Sequence, residues 1–128
     1  MTKRFLSVGV AGLMLAVLPV LLTPAAAADP AAGKSVFSST CAICHSIQAG
    51  QNKIGPSLFG VFGRETGSEP GYTYSSANMN AHLTWDAATL DKYLEAPRAT
   101  IPNTKMTYGG LKDADKRANL IAFLATLK

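Results

Sequence analysis

The 128-residue sequence predicts an all-α domain, and three observations carry that expectation. No stretch shows the alternation of polar and apolar residues that marks a half-buried strand. Asp29-Pro30 opens a helix, with proline in the first turn where its missing N–H costs nothing. From Asp113 to Lys128 a second helix is marked by Asp113 at its N-cap and by Leu120, Ile121, Leu124 and Leu127 at the three- and four-residue spacings of a buried stripe.

In the first helix Val36, Phe37 and Thr40 fall on one side, and Gly33 lies one turn before Phe37. A missing side chain there lets the C-terminal helix approach with Phe123, so the two terminal helices are expected to pack together. Thr84-Trp85-Asp86 caps a third helix whose Leu90, Tyr93 and Leu94 face inward, and Pro97 stops it. The remainder reads as loop: 46–71 holds six glycines and two prolines, and Ala99 to Gly110 holds Pro102 and Gly109-Gly110. Loops this long in a small domain need a body to pack on.

Part of the chain is expected to be discarded. Lys3-Arg4, the 18-residue apolar run from Phe5 to Leu22 and the tract Ala25-Ala26-Ala27-Ala28 have the layout of a secretory signal peptide cleaved before Asp29. An uncleaved anchor facing the periplasm is the alternative, since 18 apolar residues just span a bilayer; Pro19, Pro24 and the Ala-x-Ala signature favour cleavage. Removing 1–28 takes two of the 12 basic residues and none of the eight acidic ones, leaving a domain at 29–128 with a formal charge of +2. One hundred residues exclude a multidomain enzyme, and the scattered Lys and Arg give no nucleic-acid footprint. A chain so short buries only about two-thirds of its unfolded surface, so a cofactor at its centre would supply apolar contact that it lacks.

The chain's two cysteines sit in Thr40-Cys41-Ala42-Ile43-Cys44-His45. Two thiols one helical turn apart can reach both vinyl groups on one edge of a haem and form thioethers, with the next residue, His45, set under the iron as proximal ligand. Three other readings compete. A structural zinc needs four ligands and would use both cysteines together with both histidines, His45 and His82. A thioredoxin-like redox pair needs a preceding apolar strand, which Ser35 to Thr40 does not provide. A plain disulfide leaves His45 without a role.

Further segments join that motif in one order: Gly33-Lys34-x-x-Phe37, Gly55-Pro56-x-Leu58, Gly60-x-Phe62-Gly63-Arg64-x-Thr66-Gly67, Tyr72-Thr73-Tyr74-Ser75-x-Ala77-Asn78, Trp85, Tyr93-Leu94-x-x-Pro97, Pro102-x-Thr104-Lys105-Met106 and Leu120-Ile121-Ala122-Phe123-Leu124. Across essentially all of 29–128 the chain resembles the class I cytochromes c. The resemblance implies the small cytochrome c fold, with terminal helices packed together and long loops wrapped around one covalently bound haem c held by Cys41 and Cys44. It implies His45 and Met106 as axial ligands, a thioether sulfur favouring ferrous iron and raising the potential. Met79 is expected to fill core space, and His82 is the second-choice ligand.

The resemblance also implies that the Pro56 carbonyl accepts the proton of the other His45 nitrogen. Tyr93, Asn78 and Thr104 are matched to a polar network near the methionine sulfur, and Arg64, Tyr74 and Trp85 to donors toward the haem propionates. Two positions depart from the family pattern. Asn103 stands where glycine is usual, and asparagine tolerates positive φ better than other non-glycine residues; Tyr108 stands where phenylalanine is common.

The expected function is an exported, monomeric one-electron carrier of the periplasm, serving a respiratory chain and touching membranes only through its partners. Its donor would be a quinol-oxidising complex or dehydrogenase, and its acceptor an oxidase, reductase or photosynthetic centre. Lys53, Arg98, Lys105 and Lys112 are expected around the exposed haem edge by resemblance, with Glu65 and Glu69 on a loop away from it. A haem enzyme acting on peroxide or a small gas would need an open iron position, which a Met106 ligand closes. A sensor or structural subunit would need a retained anchor or a large apolar patch.

Overall fold

A computed structural model describes residues 26–128; of the leader expected at 1–28, all but Ala26–Ala28 lies outside the described residues. Five helices are linked by long loops: α1 (Pro30–Val36), α2 (Ser76–Met79), α3 (Ala87–Glu95), α4 (Pro97–Thr100) and α5 (Ala114–Leu124). The only strand-like pairing among the described residues is an isolated antiparallel bridge between Glu65 and Thr84. The all-α expectation is met, and none of these helices is long and apolar enough to cross a membrane.

The three helix starts form where the side chains dictate. Asp29 accepts from Ala31 N at 2.8 Å, Asp86 from Thr89 N at 2.8 Å and Asp113 from Lys116 N at 3.0 Å, each satisfying an amide that the first turn leaves unpaired. α1 does not end at Val36 but widens into a π turn, Phe37–Cys41, in which Ala42 N donates to Phe37 O at 3.0 Å. The cause is local. Ser38 and Ser39 hydroxyls bond back to Lys34 O and Ser35 O, both at 3.0 Å, an arrangement that loosens and bends a helix.

α1 crosses α5 backbone against backbone. A Cβ built on Gly33 would lie 1.9 Å from Asn119 O and 2.8 Å from Phe123 Cβ, so no side chain fits there. The contact seats Phe37 against Phe123, ring centroids 5.8 Å apart, and Asp29 N donates to Asn119 Oδ1 at 2.7 Å. Leu120, Ile121 and Leu124 are buried as their spacing predicts, together with Leu90, Tyr93 and Leu94 of α3, whereas Leu127, expected in the same stripe, lies past the end of α5 and is only partly buried. One charge is buried among them: Arg117 Nε donates to Asp91 Oδ1 at 2.8 Å, and its Nη1 to Leu111 O and Lys112 O, tying α5 to α3 and to the loop that returns from residue 110.

Two expectations are corrected. Pro97 ends α3 but also starts α4, so Ala99 and Thr100, expected in an irregular loop, are helical; the fixed φ of proline suits a first turn, and the break falls one residue earlier, at extended Ala96. Met79 is not core: it is half exposed at the end of α2, because Ser75 caps that single turn and directs Asn78 inward instead. Asn103 does adopt the left-handed conformation, at φ +65°.

Gly33→Ala is expected to lower stability by about 3 kcal/mol in denaturant unfolding, because the methyl meets backbone. Helix propensity alone would give a gain of about 1 kcal/mol, so the sign of the change decides between the two.

Candidate haem site

Loops and helices line a cavity of about 320 Å³. All eleven residues singled out from the sequence line it: Cys41, Cys44, His45, Pro56, Arg64, Tyr74, Asn78, Trp85, Tyr93, Thr104 and Met106. Leu58, Val61, Leu90, Leu94, Leu120 and Leu124 make up much of the remaining wall, which is therefore largely apolar. His82, the second-choice ligand, lies elsewhere: it is exposed at φ +48°, with Nδ1 3.3 Å from Glu65 Oε1.

Cys41 ends the π turn, and Cys44 N and His45 N both donate to Cys41 O, at 3.1 and 3.0 Å, so the motif is wound on as one further turn. Both thiols are free, so no disulfide joins them. Burial pushes the Cys41 thiol up to about 11, with the neighbouring Cys44 adding to the effect, so it stays protonated at neutral pH. Zinc finds no support, since the described residues hold no cluster of three or more His, Cys, Asp or Glu side chains able to grip a metal.

The His45 ring is fixed from two sides. Its Nδ1 lies 2.7 Å from Pro56 O, and because a carbonyl only accepts, Nδ1 carries the proton and Nε2 keeps a free lone pair. Burial holds the imidazole below its ordinary pKa, against the opposing pull of the Pro56 carbonyl, so the ring is neutral near pH 7. Gly55 packs on the ring: a Cβ there would sit 2.4 Å from Cε1.

Met106 reaches the lining from a different segment, the loop after α4. Its N–H donates to Thr104 Oγ1 at 3.3 Å, and that hydroxyl pairs with Tyr93 OH at 2.9 Å, so α3 holds the Met106 loop through a two-step chain. Burial raises the Tyr93 phenol, which stays neutral. Asn78 lies in the lining, where its Oδ1 accepts from the Ser75 hydroxyl at 2.9 Å and its side chain, like Thr104, pulls the Tyr93 phenol back down by hydrogen bonding. The Trp85 ring is tilted by 60° to the Tyr93 ring, with centroids 4.8 Å apart.

Sequence reading missed the partner of Arg64. Glu69, expected on a loop away from the site, is buried and ion-paired to Arg64 Nη1, while Nη1 and Nη2 also donate to Phe59 O and Ser57 O, each at 3.1 Å. Only Nε of this guanidinium is buried with no partner. An apolar cavity lined by a pair of thiols, a proton-locked imidazole, a thioether and an arginine suits a flat apolar macrocycle with anionic substituents. The residues fit a haem.

The sequence model of the family described as Cytochrome c matches residues 30–128. The chain belongs to the cytochrome c family. It is 50% identical over 100 residues to cytochrome c2 of Rhodopila globiformis, covering 78% of this chain and 94% of the relative. To cytochrome c of Euglena viridis it is 46% identical over 100 residues, covering 78% and 98%. A solved structure of cytochrome cH from Methylobacterium extorquens superposes with a TM-score of 0.72 at 39% identity, covering 77% of this chain and 98% of that one. The protein is a class I monohaem cytochrome c with the small all-α fold of that family, and it carries electrons on one covalent haem c rather than acting as an enzyme.

Gly55→Ala is expected to displace the imidazole from Pro56, costing about 1–3 kcal/mol as overpacking. Proton NMR of the haem protein should show the His45 Nδ1–H lost from slow exchange, whereas Gly109→Ala, whose methyl meets nothing within 4 Å, should leave it protected.

Proposed function

We propose that this cytochrome c is exported, is cleaved before Asp29, and works as a periplasmic His/Met one-electron shuttle of a respiratory chain. In this reading Cys41 and Cys44 would hold the haem through thioethers, and His45 Nε2 and the Met106 sulfur would bind its iron. The observation that carries it is the proton-locked His45 and the tethered Met106, from two distant segments of the chain, in the lining of the same cavity. The bound haem supplies a ferric–ferrous couple that changes by one electron without a change of ligands.

The chain's own residues do the rest. Pro56 keeps the His45 ring from turning, and Tyr93 with Thr104 restrains the Met106 loop, so reorganisation on electron transfer is small. Arg64, Tyr74 and Trp85, all in the cavity lining, act as donors toward the propionates. Ile43 and Ile54, 77% and 75% exposed, flank the cavity and give a partner an apolar contact beside the electron exit. Donors are a quinol-oxidising complex or dehydrogenase; acceptors are an oxidase, reductase or photosynthetic centre.

Mass spectrometry of the exported, denatured protein should find one haem on residues 29–128, and acid–acetone should not extract it. Met106→Ala should abolish the ferric methionine-sulfur charge-transfer band and lower the potential, within the roughly 0.8 V that axial ligand sets span. Met79→Ala should change neither. A band lost in His82→Ala and kept in Met106→Ala overturns the ligand set.

Lys53, Arg98, Lys105 and Lys112 are all exposed, and Lys105, whose Nζ donates to Thr73 O at 2.5 Å, lines the cavity. Reversing Lys105 and Lys112 to Glu should slow electron transfer to the partner at low salt. The gap from wild type should close as the Debye length shrinks to ~10 Å at 0.1 M. Transfer indifferent to both salt and substitution would mean apolar docking.

A further inference from the structure

We infer that Glu69 is a potential-setting residue: its carboxylate holds Arg64 in place in the cavity lining, and its negative charge lowers the reduction potential. The inference rests on the reading that Arg64 faces a haem propionate, and it assigns a role to a residue outside the cavity wall.

Four observations support it. Glu69 is only 9% exposed, although nothing in its sequence neighbourhood, Gly67-Ser68-Glu69-Pro70-Gly71, marks it for burial. Among the described residues it makes the sole ion pair of Arg64, on Nη1, the nitrogen that also donates to Phe59 O. Its own N–H donates to Tyr74 OH at 3.2 Å, so one acidic residue holds two of the side chains that face the cavity. Finally, Nη1 is engaged by Glu69 and Phe59 O and Nη2 by Ser57 O, so the guanidinium is fixed in position within the cavity lining.

The charge balance follows from these contacts. An Arg64 left without an acid would offer its full positive charge to a buried propionate and, beyond it, to the iron. Paired with Glu69, the guanidinium still donates a hydrogen bond, but the pair is close to neutral. Adding an electron to the iron then takes place with one more negative charge nearby, in surroundings where burial weakens solvent screening. Ferrous iron is disfavoured relative to the same protein without the carboxylate. Glu65, four residues earlier on the same loop, is exposed and turned to His82, where water screens it.

The test is the reduction potential of the intact haem protein, measured by spectroelectrochemistry for wild type, Glu69→Gln and Glu65→Gln. Glu69→Gln should shift the ferrous-to-ferric equilibrium constant upward about tenfold, or about 59 mV for one electron. Glu65→Gln should move it far less. A purely structural role would change unfolding stability without this shift. If Glu69→Gln does not accumulate with haem, Glu69→Ala, which leaves room for a water beside Arg64, makes the same comparison. A wild-type protein lacking covalent haem overturns both the haem reading and this one. A loaded wild type whose potential moves no more in Glu69→Gln than in Glu65→Gln overturns this inference alone.

Discussion

The contact of α1 with α5 at Gly33 is the constraint on which the rest of the molecule depends. Backbone meets backbone there, so the two ends of the domain are held at a separation that any side chain would increase. From that crossing the π turn carries the chain one residue further around than an α-helix would, delivering Cys41, Cys44 and His45 to the cavity. The same crossing sets Leu120 and Leu124 of α5 as another part of the lining. Helix packing and cofactor site are thus one arrangement, and a shift in the first is a shift in the second.

The loops are held by side chains more than by each other. Ser57, fully buried, donates to Gln48 O at 2.6 Å and accepts from Phe59 N at 3.2 Å, while Asn52 accepts from Ser57 N and donates to Pro70 O. Thr66 and Leu83 exchange hydrogen bonds, and Trp85 N donates to Arg64 O, so the segment carrying Arg64 is clamped to the one carrying Trp85. These bonds satisfy backbone groups that a sheet or helix would otherwise pair. They leave the apolar faces of the loops to the cavity, which explains how 46–71 stays ordered without secondary structure of its own.

An electron carrier needs little movement and a well-chosen potential, and the polar groups divide along those lines. Pro56 against His45 and Thr104 against Tyr93 resist movement. Arg64 with Glu69 concerns charge, and its burial removes the water that would otherwise mute it. The haem environment of this cytochrome c is therefore set in part by an acid that never touches the cavity.

What the sequence determined by itself was local. Aspartates at three N-caps, the stripe Leu120-Ile121-Leu124, the space at Gly33, the turn tolerance of Asn103 and the spacing Cys41-x-x-Cys44-His45 all act through neighbours within a few residues or through one helix face, and all are seen in the structure. The tertiary structure decided which distant groups meet. That Glu69 finds Arg64, that Arg117 finds Asp91 across 26 residues, and that Met79 turns outward while Asn78 turns in depends on how loops close around a cavity. No periodicity encodes such closure. A charged residue in a glycine-rich loop reads as solvated until the fold shows what stands opposite it, because the cost of burying a charge is met by a partner that may come from any part of the chain.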